Sequence, residues 1–319
     1  MNFIFFMPDE LRAESVACYG HPQAQTPNLD ALAQQGTRFD QCHVQNTVCS
    51  PSRCSLMTGW YPHVSGHRTL WRLLRPHEPN LLRYLKQAGY DVRWYGKNDL
   101  LAAASFADSV TEARSCGKRV FGPPAFPPDD PRFFSFLGEP YTAPLEEHTD
   151  YANVMAGIEF LRNKPKQPFI LYLPLIFPHP MYSAPEPWHS QIDPAALPPL
   201  RPPDLPRKPE YYRLIRETRH LALLSEADLR RINAVYLGMT GFIDYLLGLL
   251  LDALAASGLE EETAVFFFSD HGDWAGDYGL VEKWPNAMED ILTRVPLIAR
   301  IPGGASGRDV VHAVADEDG

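Results

Sequence analysis

Residues 3–10 read Phe-Ile-Phe-Phe-Met-Pro-Asp-Glu, an apolar run closed by Pro8 and followed at once by two carboxylates. A short run of bulky apolar residues ended by a breaker reads as a strand buried on both faces, inside a sheet rather than at its rim. The polar residues at its carboxyl end recur as a pattern. Asp91–Tyr95 lead into Lys97, Asn98 and Asp99; residues 168–175 lead into His179; Ala264–Phe268 lead into Asp270 and His271. Residues 37–44 and 295–301 suit two further strands.

Between these runs the apolar residues recur at helical spacing. Thr26-Pro27 offers an N-cap and a first-turn proline for a helix through Leu29, Leu32 and Ala33, and Ser50-Pro51 opens another. Leu81, Leu82, Tyr84 and Leu85 run to Gly89, and longer helices are expected over residues 149–163 and 226–257. The alternation predicts an α/β fold, a mostly parallel sheet flanked by helices. One domain over residues 1–319 is expected, without internal repeats and with 302–319 as an irregular tail. Ligands of open α/β sheets sit outside the carboxyl ends of the strands. Asp9, Glu10, Lys97, Asn98, Asp99, His179, Asp270 and His271 would therefore meet along one edge.

Composition narrows the function classes. With 29 Lys+Arg against 39 Asp+Glu, the net charge of −10 argues against a nucleic-acid partner. Aromatic content of 12% and charged content of 21% exclude wholesale disorder. The five cysteines include no CxxC pair and cannot all pair with one another, which favours a reducing compartment. The first residues, MNFIFFMPDELR, carry neither a basic leader nor a small-residue cleavage site. No apolar stretch reaches the ~18 residues of a membrane span. The expectation is a cytoplasmic protein with no membrane partner, or a periplasmic or secreted one if translation starts elsewhere. Many of the 31 prolines fall within 122–144 and 178–209. These stretches are read as long loops, the second walling a pocket because it starts beside His179.

Asp9, Glu10 and Asp270 are hard oxygen donors, and three unpaired carboxylates in one dry crevice would be costly. A Ca²⁺ or Mg²⁺ ion resolves that, with Asn98 or His271 as a neutral ligand. A zinc site from Cys42, His43, Cys49 and Cys54 is the alternative, but its spacings do not match usual zinc pairs.

Residues 49–59 read Cys-Ser-Pro-Ser-Arg-Cys-Ser-Leu-Met-Thr-Gly. Cys49 is read as standing just before a helix whose first turn contains Pro51, where free N–H groups favour an anion, and Arg53 adds a forked positive charge. The string resembles the signature of the formylglycine-dependent sulfatases, C-x-P-S-R followed by T-G. Further blocks look like that family's in the same order: MPDELR (7–12), TPNLDALAQQGTRF (26–39), YGKNDL (95–100), FPHPMYSAPEPW (177–188) and SDHGDWAGDYGL with Lys283 (269–283). On this ground the chain is identified as a member of the alkaline-phosphatase-like superfamily, with a sulfatase catalytic domain.

The resemblance implies a sulfuric ester hydrolase in which Cys49 is oxidised to formylglycine by a formylglycine-generating enzyme or an anaerobic maturase. The formylglycine hydrate attacks sulfur, the alcohol leaves, and elimination of sulfate restores the aldehyde. Asp9, Glu10, Asp270, His271 and the modified Cys49 would hold the metal, usually Ca²⁺. Arg53 would stabilise the hydrate, Lys97 and Lys283 would contact sulfate oxygens, and His179 would serve the leaving alcohol. The substrate would be a sulfated small molecule or glycan. Phosphoester or phosphonate-ester hydrolysis is the alternative chemistry, and an inactive relative that only binds metal or anion is the non-enzymatic one.

Three departures stand out. Glu10 occupies a place that is often Asp. Asp99 occupies a place that in many relatives is a histidine acting as a base; whether Asp99 is a base or a partner of Lys97 is left open by the residues. Relatives usually continue into a C-terminal subdomain, which on the sequence as given is expected to be absent or truncated. Around the pocket, His63, His67, Trp71, Arg72 and Arg75 are candidate substrate contacts, and Cys54 is read as a packed thiol.

Overall fold

The computed structural model describes residues 1–67, 69–165, 168–285 and 287–310. The opening apolar run forms β1 (Asn2–Asp9), which lies inside an eight-stranded sheet. The other strands are β2 (Thr37–Phe39), β3 (Asp91–Tyr95), β4 (Glu112–Arg114), β5 (Phe169–Pro178), β6 (Thr263–Phe268), β7 (Leu297–Arg300) and β8 (Arg308–Val310), in the order β4-β3-β5-β1-β6-β7-β2-β8. β1 runs parallel to β5, with Phe3 opposite Ile170, and parallel to β6, with Phe3 opposite Ala264. β3 is parallel to β5 and β4, and β8 to β2; only β7 runs antiparallel to its neighbours β6 and β2 among the described strands. The carboxyl ends of β3, β5, β1 and β6 thus open on one edge.

The period of two in each strand sorts the side chains into two cores. Ile4, Phe6, Leu171, Leu173, Val265 and Phe267 face the larger core, while Met7, Trp94, Ile170, Tyr172 and Phe268 face the smaller. The nine α-helices of the described residues are α1 (Pro27–Gln35), α2 (Cys49–Thr58), α3 (Pro62–Ser65), α4 (Leu81–Gln87), α5 (Phe106–Ser109), α6 (Thr149–Arg162), α7 (Glu210–Thr218), α8 (Glu226–Ser257) and α9 (Asp290–Thr293). α1, α6 and α8 supply the larger core, through residues such as Leu29, Val154 and Phe242; α2, α4 and α5 supply the smaller, through Met57, Leu82 and Phe106.

α8 starts on a capping box, in which Ser225 and Asp228 each accept the other's backbone N–H, and stops at left-handed Gly258. Contrary to the sequence expectation, it is long and apolar enough to cross a membrane, with a window of mean hydropathy 1.7 that is 78% buried within the fold. Its apolar residues, from Ile232 to Leu254, are spent on the core.

Other expectations change in detail. Thr26 does not cap α1: its hydroxyl accepts from Ala17 N, and Asp244 of α8 takes the first N–H groups of α1 instead, at 3.2 Å from Asn28 and 2.7 Å from Leu29. The strand expected over 37–44 stops at Phe39, and the chain rejoins the sheet only through a bridge between His43 and Arg294. Residues 308–310, expected in an irregular tail, form β8 beside β2; residues 311–319 of that expectation lie outside the described residues. An apolar cavity of about 670 Å³ lies along the Ser52–Ser55–Leu56 side of α2, lined by Phe3, Phe5, Leu85 and Phe266. It includes none of the charged residues at the strand ends.

Candidate active site

Asp9 ends β1, and Glu10 turns the chain in left-handed backbone, φ 71°. Because β1 and β6 are sheet neighbours, Asp270 and His271 leave β6 beside this turn, and Asp270 Oδ1 accepts the N–H of Glu10 at 3.0 Å. α2 points its start into the same place. Its N-cap, Val48, has no capping side chain, and Pro51 sits in the first turn where a missing N–H does no harm. Cys49 is therefore the first helical residue rather than the one before the helix.

Four donor groups converge. The Cys49 thiol lies 3.4 Å from Asp9 Oδ1 and 3.2 Å from His271 Nε2. The ligating atoms of Asp9, Cys49, Asp270 and His271 all fall within 4.8 Å of one another, and all four residues are buried. One turn along α2, Arg53 binds both acids, Nη2 to Asp9 at 2.8 Å and Nε to Asp270 at 2.7 Å, while its Nη1 has no partner among the described residues. Ser52 ties the helix down by donating to the Asp270 carbonyl.

A ring of cations and one imidazole closes the site. Lys97 reaches Asp9 at 2.5 Å and Asp99 at 2.8 Å, and its Nζ is 3.9 Å from Cys49 Sγ. Lys283 stands between Glu10 Oε2 at 2.8 Å and His179 Nε2 at 2.7 Å, and His179 Nδ1 is 2.7 Å from the Pro180 carbonyl. Burial drives the Asp9 carboxyl upward, but Lys97 and Arg53 overcome it and hold Asp9 well below the usual range. Burial would lower Lys283, yet Glu10 together with Cys49, Glu282 and Asp9 outweighs it and keeps the ammonium charged. His271 is pushed down by burial, so it presents a neutral imidazole. Burial and then Asp9 push the Cys49 thiol well above its ordinary value. As a thiol it is not a nucleophile at neutral pH.

The structure does not gather every expected residue. The Glu10 carboxylate stays outside the four-donor cluster, on Lys283, with Oε1 buried and without a hydrogen-bond partner among the described residues. Asn98 turns onto its own loop, bonding Leu100 N, Leu101 N and the Leu101 carbonyl. Nor do the cysteines of the alternative zinc site assemble: Cys42 and His43 line the apolar cavity, and Cys54 packs in the smaller core. His67 is buried between the Arg72 carbonyl and Glu78, so it is a framework residue rather than a substrate contact. His63 stacks on Tyr61 at the surface, and Trp71, Arg72 and Arg75 are exposed.

With this geometry in view, comparison with known proteins decides the family. The sulfatase family profile matches residues 1–318. The chain belongs to the sulfatase family. It is 27% identical over 95% of its length to an uncharacterized sulfatase of Escherichia coli (strain K12), YidJ, and spans 63% of that protein. It is 27% identical over 95% of its length to an ulvan-active sulfatase of Formosa agariphila, and spans 56% of it. Among solved structures, the phosphonate monoester hydrolase of Agrobacterium radiobacter shares the fold, with a TM-score of 0.81 and 23% identity over 98% of this chain and 70% of that one.

In this sulfatase-family chain the residues present fit a divalent cation. Two carboxylates suit a hard ion, the neutral imidazole of His271 adds a nitrogen donor, and residue 49 completes the set. The proline-rich segment after His179 is anchored to the rest of the fold through Arg201. Arg201 pairs with Glu14 at 2.8 Å and Asp277 at 3.0 Å, and Asp277 also takes buried Arg12 at 2.7 Å. Tyr182, Tyr236 and Asp273, which bond the turns carrying Glu10 and Lys283, were not among the residues singled out from sequence. Buried tyrosines read as core, so no sequence signal marked them.

Proposed function

We propose that this chain hydrolyses sulfate esters at the Cys49 cluster. The observation that carries the proposal is the placement of Cys49 Sγ among Asp9, His271 and Lys97, within 3.2–3.9 Å, at the start of a helix. Family membership supports it, and the protonated thiol explains why residue 49 needs oxidation before it can act. As formylglycine it would supply a hydrate as nucleophile. Asp9, Asp270 and His271, with residue 49, would hold a divalent ion, Ca²⁺ by family analogy, which supplies positive charge to the transferring group.

The chain's own groups divide the remaining work. Arg53 spans Asp9 and Asp270 and fixes their separation. Lys97 and Lys283 flank the position of Cys49 and would neutralise charge that builds on nonbridging sulfate oxygens. His179 is held neutral by burial, with Nδ1–H on the Pro180 carbonyl and Nε2 accepting from Lys283, so it would orient the departing alcohol and relay to it a proton drawn from the Lys283 ammonium. Asp99, bound to Lys97 at 2.8 Å, would act by orienting that lysine rather than as a base. Sulfated glycans are the first substrates to test, since the ulvan-active relative is named for one. A maturase that oxidises Cys49 is the implied protein partner. Matched aryl sulfate, phosphate and phosphonate esters test the assignment: faster turnover of the sulfate ester supports it, and a preference for phosphorus esters replaces it.

A further inference from the structure

Two residues with side chains sit in left-handed backbone beside the site, Glu10 (φ 71°) directly after Asp9 and Glu282 (φ 65°) directly before Lys283. Such residues hold this conformation only where their surroundings over-determine it. Here each is fastened by a buried tyrosine hydroxyl from a distant element. Tyr236, on α8, donates to the Glu10 carbonyl at 2.7 Å and accepts from Arg12 N at 3.1 Å, closing the first turn from both sides. Tyr182, in the segment after β5, accepts from Glu282 N at 2.9 Å and donates to Asp273 Oδ1 at 2.7 Å. Asp273 Oδ1 also takes Ala275 N at 2.6 Å, and Trp274 N meets the Glu282 carbonyl at 2.9 Å, so the second turn is clasped along its length. The two rings are fully buried and meet edge to face, centroids 6.3 Å apart. Between the turns, Glu10 and Lys283 touch at 2.8 Å.

We propose that Tyr182 and Tyr236 are positioning residues, an aromatic pair whose hydroxyls set the Glu10 and Glu282 turns so that Lys283 stands between Glu10 and His179. A tyrosine hydroxyl suits this because it donates and accepts at once. Phenylalanine at either position keeps the ring packing but orphans the backbone groups of one turn. Lys283 then loses its register over the site, without any direct change to the groups expected to touch substrate.

The inference rests on the sulfate-ester reading, and its test separates the two. Tyr182→Phe and Tyr236→Phe are compared with Tyr212→Phe, which removes a part-buried hydroxyl that bonds Glu289. Inorganic sulfate binding is measured by calorimetry on the full chain with Cys49 as a thiol, and kcat and KM on aryl sulfate with matured chain. The two site variants should bind sulfate about tenfold more weakly and lose about 10–100-fold in kcat, with a smaller change in KM, because a misplacement near 1 Å is worth that much. Tyr212→Phe should change neither. Wild-type values within about twofold in both site variants would overturn the inference, as would an equal loss in Tyr212→Phe. Each site variant carries the test alone if the other does not fold. Should the wild type bind sulfate but turn over no sulfate ester, weaker binding in the variants would keep the positioning role while the functional reading falls.

Discussion

Replacing Arg53 by methionine removes the one side chain that joins both buried carboxylates. Arg53 is 1% exposed, and its contacts of 2.8 Å to Asp9 and 2.7 Å to Asp270 lie entirely out of solvent. Asp9 would keep Lys97, whereas Asp270 would keep only backbone donors, Glu10 N and His271 N at 3.0 Å each. Breaking a buried pair by removing one partner costs about 3–5 kcal/mol, counted once because a single guanidinium serves both acids. At roughly 2 °C per kcal/mol for a chain of this size, the unfolding midpoint should fall by about 6–10 °C in EDTA. If the four-donor cluster binds a cation, saturating Ca²⁺ should return about 2.7 kcal/mol at a hundred times its dissociation constant, and more of the loss should be recovered in the variant than is gained in wild type. Thermal denaturation followed by circular dichroism, with and without Ca²⁺, measures both quantities. A midpoint lowered by less than about 2 °C in EDTA, or a variant indifferent to Ca²⁺, would refute the argument that Arg53 balances a cation-ready pair of acids.

Asp150, at the start of α6, accepts Ile176 N and Phe177 N at 2.9 and 2.8 Å, and burial raises its carboxyl to about 7. Its stabilising contribution is full below the unfolded value near ~4 and is lost as pH climbs toward 7, so Asp150→Asn should flatten that slope in chemical denaturation. Glu10→Asp draws a carboxylate off Lys283 and toward Asp270; calorimetry should show Ca²⁺ binding about tenfold tighter, and unchanged affinity would count against the placement of Glu10 outside the cluster. His67→Ala should lower stability by about 1–3 kcal/mol, because the Glu78 carboxylate loses a buried partner, while KM for aryl sulfate stays at the wild-type value; a raised KM would restore His67 as a substrate contact.

What could be read from sequence follows from how strongly each signal is local. Of the strands that carry the site, β1, β5 and β6 are runs of bulky apolar residues buried on both faces, while β3 alternates, with Val92 and Trp94 buried and Asp91 and Arg93 half-buried. Asp9, Asp270 and His271 were legible because they directly follow those strands, whereas Cys49 and Arg53, on α2, were legible only through the resemblance of residues 49–59 to the sulfatase signature. Side-chain aim was not. Glu10 lies beside Asp9 in sequence, yet left-handed backbone turns its carboxylate to Lys283, 273 residues away. Asn98 satisfies its own loop, a choice that the amide makes locally and that no pattern displays. Asp244 replaced Thr26 as the cap of α1 because α8 runs alongside, a tertiary fact invisible to a window of residues. The apolar length of α8 reflects burial among sheet and helices, which composition does not distinguish from lipid.

The central claim is that residue 49 is oxidised and then serves sulfate-ester hydrolysis. The most direct test is the mass of the tryptic peptide from Phe39 to Arg53, taken from chain made beside a maturase that demonstrably modifies a reference sulfatase. Cys42 in the same peptide is the internal comparison. The account predicts an aldehyde at residue 49 and an intact thiol at Cys42; two intact thiols would contradict it.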